Sequence, residues 1–204
     1  MTVLHGVEAA PGVAIGRILR LARERLEVTE AGQDVAVEQA RLAMALQASQ
    51  TELLGRIQAA GASPGADVLR AHLAFPRDPD LAAAAGRLME IGKSAGFAWR
   101  SAVDRQITAI EGVGVARIAE RVDDLRDVAH RVLLRLARRT ETVPELPPQT
   151  ILIEDDLLPS QLIGLDLSRV AGICTASGGP TSHVAILTAS HGIPALVAIG
   201  PALL

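Results

Sequence analysis

Apolar positions change their spacing along the 204 residues, and each change marks a different kind of element. Near the start, "PGVAIGRILRL" mixes Val13, Ile15, Ile18 and Leu21 with Gly and Arg behind a Pro-Gly turn, a pattern that predicts a half-buried strand. From about residue 33, Val35, Leu42, Leu46, Leu53 and Ile57 recur at spacings that gather them on one helix face, and that helix is expected to end near Gly61. "SPGADVLRAHLAF" predicts a second helix, with Ser63 as its cap, Pro64 at its first position and Pro76 closing it. "DPDLAAAAGRLMEIG" repeats that start with Asp78 and Pro79 and closes at Gly92, and a further segment runs from about Ser94 to Ile110 before "EGVG". Val115, Ile118, Val122, Leu125, Ala129, Val132 and Leu136 then form one apolar stripe, with Arg117, Glu120, Asp123, Asp124 and Arg131 expected on the opposite face.

The prolines of "TETVPELPPQ" end that helix and mark a boundary. After it, "TILIED" reads as a strand, "PSQLIGL" as a short helix, "RVAGICTA" as a buried strand and "IPALVAIG" as another. The expected architecture is an α/β domain formed by residues 1–24 and 145–204, interrupted over 25–144 by an inserted all-α bundle of about four helices.

Composition narrows the function classes. Apolar residues make up 49% of the chain but aromatic ones only 1%, so the core must be built from Leu, Val, Ile and Ala, which favours helices and close α/β layers. The net charge is −3 and no basic run stands out, so a nucleic-acid footprint is not indicated. Cys174 is the single cysteine and is expected to be a small buried hydrophobe in a reducing compartment. No stretch reads as an export signal or a membrane span, and the expected location is cytoplasmic.

The chemistry concentrates in Ser177–Leu187, "SGGPTSHVAIL". Gly178 and Gly179 permit a turn closed to other residues, and Thr181 or Ser182 can cap the helix after it. His183 then falls in the first helical turn. There the helix dipole disfavours the imidazolium and favours an anionic phosphoryl group, which suits a nucleophile for covalent phosphoryl transfer. The bland alternative is a turn, a cap and a surface histidine. A zinc site is poorly supported, because His183 and His191 have no acid between them and Cys174 precedes the turn. Ser182 as nucleophile lacks the Gly-x-Ser-x-Gly elbow and an evident acid partner.

"GGPTSHVAIL" with "GIPALV" resembles the phosphohistidine segment of enzyme I of the bacterial phosphoenolpyruvate-dependent sugar phosphotransferase system. "GVEAAPGVAIGRILRL", "ERVDDLRDVAHRVLLRL" and "ILIEDDLLPSQLIGLD" look like three further enzyme I segments, in the right order. The resemblance implies an α/β phosphohistidine domain with the inserted helices as a docking bundle for the small carrier HPr. It makes His183 the nucleophile, whose Nε2 would take the phosphoryl group from phosphoenolpyruvate and pass it to a histidine of HPr, supported by Gly178, Gly179, Thr181 and Ser182. It places His72, Phe75, Leu81 and Arg126 at HPr-docking positions, each of which also has an ordinary core or surface reading. His5, His130 and His191 match no functional position.

The family's phosphoenolpyruvate and Mg2+ are bound by a C-terminal barrel that 204 residues cannot hold, so no metal is expected in this chain. The intact family members are homodimers through that same part. Two positions depart from the family: Ala189 stands where Arg is usual, and Leu162 where a Thr can hydrogen-bond the active imidazole. Ser160 or a backbone carbonyl is the expected substitute for that Thr. The same chemistry in a swivelling domain of a phosphoenolpyruvate synthase or pyruvate phosphate dikinase is an alternative, against which the helical insertion speaks. A silent HPr-docking module is another, kept open by Ala189 and Leu162.

Overall fold

The computed structural model describes residues 2–21, 26–112, 116–140, 144–180 and 182–204, with the backbone alone at 116–120 and 183. The chain divides into two compact units, residues 1–24 with 142–204, and residues 25–141.

The second unit is helical. Among the described residues it contains α1 (Val35–Ala60), α2 (Pro64–His72), α3 (Pro79–Glu90), α4 (Ala95–Glu111) and α5 (Ala116–Leu136). Each of the first four starts where a side-chain oxygen takes up backbone N–H groups that a helix cannot satisfy itself. Asp34 accepts from Ala36 and Val37, Ser63 from Ala66, Asp78 from Asp80 and Leu81, and Ser94 from Phe97. Among the described residues the bundle has five helices, with α2 and α3 separated, as the sequence predicts, by Pro76 in a short 3-10 turn, Phe75–Arg77. Trp99, Leu125, Val128 and Val132 are fully buried, and Ala85 and Ala98 let the helices approach closely.

The α5 stripe needs one correction. Val122, Leu125, Ala129 and Val132 are buried as expected, while the side chains of Val115, Arg117, Ile118 and Glu120 lie outside the described residues. Asp124 and Arg131, expected on a solvated face, are buried too. Their charges are met inside the bundle, where Asp124 faces His72 and Arg131 faces Glu52 of α1 at 2.6 Å. An i, i+3 or i, i+4 pattern cannot distinguish a polar face toward water from one turned toward partners on neighbouring helices.

The first unit is an α/β layer. Its five-stranded sheet has the order β1 (Val7–Ala10), β5 (Ala195–Val197), β4 (Val170–Thr175), β3 (Thr150–Glu154), β2 (Arg17–Arg20). β2, β3, β4 and β5 pair in parallel, and β1 runs antiparallel to β5. α6 (Pro159–Gly164) connects β3 to β4, and α7 (His183–Ser190) connects β4 to β5. Leu152 and Ile173 of the strands pack with Leu162, Val184 and Leu187 of the two helices.

The N-terminal segment is two strands at opposite edges, not one, and the residues between them cross the sheet. A Cβ on Gly12 would fall 2.6 Å from Pro194, one on Gly16 would fall 2.1 Å from the carbonyl oxygen of Gln149, and the Ala14 methyl lies against Gly172. The expected alternation is real, but its inward positions are Gly12, Ala14 and Gly16, because only small residues fit so close to the strands. Val13 and Ile15 consequently face outward at 92% and 87% exposure, and Ile18 on the edge strand is 71% exposed. Of the four apolar residues expected to be half-buried, Leu21 alone is buried.

Candidate functional site

The carboxyl ends of β3 and β4 define one rim of the α/β unit. In parallel sheets this rim is where ligands commonly bind, since loops and helix starts converge there. The segment after β4 continues the ladder: Ala176 N–H donates to the Glu154 carbonyl at 3.0 Å, and Ser177 N–H to that of Asp155 at 2.7 Å. On its other side, Ile199 and Gly200 N–H groups donate to Thr175 and Ala176 at 3.1 and 2.9 Å. Gly178 then turns the chain at φ +88°, a conformation that costs a residue with a side chain.

Ser182 N–H donates to the Gly179 carbonyl at 3.1 Å, and the Ser182 hydroxyl accepts from Ala185 N–H at 3.2 Å. Ser182 is thus the N-cap of α7, and His183 is its first residue. The helix forms because a cap precedes the apolar run "VAIL", of which Val184, Ala185 and Leu187 are buried. Thr181 and the His183 side chain lie outside the described residues. Gly178, Gly179, Ser182 and the His183 backbone are therefore gathered at the rim.

Leu162 is fully buried in the α/β core, where its side chain contributes packing and no hydrogen bond. Ala189 is exposed on α7. Ser160 is buried at the start of α6. Cys174 is half-buried, and burial pushes its thiol pKa up, which makes it a poor nucleophile. His191 ends α7, its Nδ1 2.8 Å from the Leu187 carbonyl oxygen. Among the described residues, no group of three or more His, Cys, Asp or Glu side chains is arranged to hold a metal ion.

The four expected docking residues separate. His72 is fully buried, and Phe75 and Leu81 are 7% and 2% exposed. Phe75 and Leu81 fill the bundle core, and His72 Nε2 lies 2.9 Å from Asp124 Oδ1. Arg126 is the one of the four at the surface, paired with Glu111 at 3.0 Å and Asp123 at 3.2 Å. Sequence reasoning also passed over Asp155, Thr175 and Ser177, which hold the approach to the glycine turn. The available signal was their position, at the ends of two adjacent apolar runs, "TILIED" and "RVAGICTAS".

Comparison with known proteins adds the family. Residues 5–121 match the model for the PEP-utilising enzyme, N-terminal, and residues 146–204 that for the PEP-utilising enzyme, mobile domain. The chain is 37% identical over 205 residues to a multiphosphoryl transfer protein of Rhodobacter capsulatus, covering 98% of this chain and 25% of that one. It is 36% identical over 202 residues to the phosphoenolpyruvate-protein phosphotransferase of Streptomyces coelicolor, covering 97% and 36%. It thus spans between a quarter and just over a third of these relatives. The solution structure of an Enzyme I protein superposes with a TM-score of 0.72 at 28% identity, over 98% of this chain and 84% of that one. Matched in both its N-terminal and its mobile domain, the chain belongs to the PEP-utilising enzyme family.

Proposed function

We propose that this chain is the phosphohistidine-bearing and carrier-docking part of a phosphoenolpyruvate-protein phosphotransferase, with His183 as the residue that carries the phosphoryl group. The observation behind this reading is the position of His183, first in α7 directly after the Ser182 cap, at the carboxyl rim of the parallel strands. A phosphoryl group attached there would meet the positive end of α7. The names of the relatives from Rhodobacter capsulatus and Streptomyces coelicolor point to the same transfer chemistry.

Delivery to the carrier is reversible, and in the reverse exchange proposed for this chain alone, Nε2 of His183 attacks the phosphorus of a phosphorylated carrier histidine. The carrier's N–P bond breaks as the Nε2–P bond forms. The proton that His183 gives up from Nδ1 matches the one the released carrier imidazole takes, so charge and protons balance. The histidine carrier HPr is the proposed partner, and the helical unit is its proposed docking surface, with Arg126 one of its exposed cations. Phosphoenolpyruvate and Mg2+ are proposed to be handled by portions of the protein beyond the matched span.

The test is to mix the chain with radiolabelled phospho-HPr and repeat with His183→Ala. Acid-labile, base-stable label on the wild type alone supports the reading. Binding of HPr without any transfer of label would leave a silent docking module instead.

A further inference from the structure

We propose that Ser177 and Asp155 are positioning residues of the transfer site, an inference that rests on the reading of His183 as phosphoryl carrier. The two residues are joined twice. Ser177 N–H donates to the Asp155 carbonyl oxygen at 2.7 Å, and the Ser177 hydroxyl donates to Asp155 Oδ1 at 2.9 Å. The Ser177 carbonyl in turn accepts from the Thr175 hydroxyl at 2.7 Å and from Ala198 N–H at 3.3 Å. Ser177 is thus held on every polar group it has, to the loop after β3 on one side and to the segment after β5 on the other.

The glycine turn starts directly beyond Ser177. Gly178 sits at positive φ, with Asp156 Oδ1 and the Thr175 hydroxyl 3.6 and 3.8 Å from the place its Cβ would take, while no described atom lies within 4 Å of that place on Gly179. Ser182 N–H donates to the Gly179 carbonyl at 3.1 Å. Ser177 is therefore the root of the turn, and its orientation bears on the direction in which the turn delivers Ser182 and His183.

The side-chain bond is not needed to hold the sheet together, because the main-chain bond between the same two residues already continues the ladder. Both residues are exposed, and an exposed polar pair contributes little to stability in water. A side-chain bond of small structural value, placed at the root of a glycine turn that carries the reacting histidine, fits a role in positioning.

The experiment measures steady-state phosphorylation of the full chain by phospho-HPr for the wild type, Ser177→Ala, Ser177→Thr, Asp155→Asn and the double variant Asp155→Asn/Ser177→Ala. The expected result for Ser177→Ala is a kcat about tenfold lower, with KM for the carrier and the thermal midpoint unchanged. Ser177→Thr, which keeps the hydroxyl, is expected to restore the rate, and the double variant to be no slower than the worse single one. Wild-type kcat in Ser177→Ala, a loss confined to KM, or single losses that multiply in the double variant would each overturn the positioning role. A wild-type chain that takes no label at all would overturn the His183 reading itself, a result distinct from any of these.

Discussion

His72 and Asp124 stand 52 positions apart in sequence, yet Nε2 of the imidazole lies 2.9 Å from the carboxylate in the interior of the helical unit. The contact ties α2 to α5. The neighbouring carboxylate of Asp127 lies 3.9 Å from the other ring nitrogen, and Arg131 joins the group at 3.7 Å from Asp127. Buried polar groups of this kind are costly to leave without partners. His72→Ala removes the hydrogen bond and leaves a cavity, and is expected to lower the unfolding free energy by about 2–4 kcal/mol in urea titrations.

Arg126 provides the contrast. Its side chain is 42% exposed and pairs with the carboxylates of Glu111 and Asp123. Arg126→Ala is expected to change stability by about 1 kcal/mol or less. If the helical surface around it docks the carrier, the same variant raises the Kd for HPr, measured by calorimetric titration. An unchanged Kd would remove Arg126 from the docking surface.

Two α1 carboxylates make stability depend on pH. For Glu52, burial alone would raise the pKa, but a hydrogen bond from Arg135 and the charges of Arg131, Arg56 and Arg135 outweigh it and hold it below the ordinary 4.5. For Glu38, burial is likewise outweighed by the Ala95 and Gln33 N–H groups and by Arg41. A carboxylate whose pKa is depressed on folding stabilises fully above its unfolded value and loses that contribution as pH falls through the folded one. The urea midpoint is therefore expected to hold steady above about pH 5 and to drop below about pH 4.5. Glu52→Gln is expected to lower the midpoint at neutral pH and flatten the acid decline. A decline of undiminished steepness in that variant would assign it to other groups.

The crossing between β1 and β2 makes a steric prediction. A Cβ at residue 16 would fall 2.1 Å from the Gln149 carbonyl oxygen, so the backbone itself must move. Gly16→Ala is expected to cost about 1–3 kcal/mol or more and to lower the thermal midpoint. Gly55→Ala is the control, since no described atom lies within 4 Å of its Cβ position and the residue is inside α1. That change is expected to be neutral or mildly stabilising.

How legible these features were in the sequence depended on whether their cause was local. Ser63-Pro64, Asp78-Pro79 and Ser94 announced their helices because capping is settled within four residues. The glycine turn, the Ser182 cap and the start of α7 were legible for the same reason. The crossing was not, because the need for small residues at Gly12, Ala14 and Gly16 comes from strands more than 130 positions away. His72 and Asp124 look like surface residues until α2 and α5 pack together. The bond between Asp155 and Ser177 likewise exists only once β3 and β4 are in register.

Locating the phosphoryl group is the decisive test of His183 as carrier. After reaction with phospho-HPr, the chain is digested and mapped at alkaline pH by mass spectrometry, and the intact phosphoprotein is examined by phosphorus NMR. The expected result is one modified residue, His183, with the phosphoryl group on Nε2. Phosphate on Ser182, on another histidine or on Nδ1 of His183 would contradict the assignment.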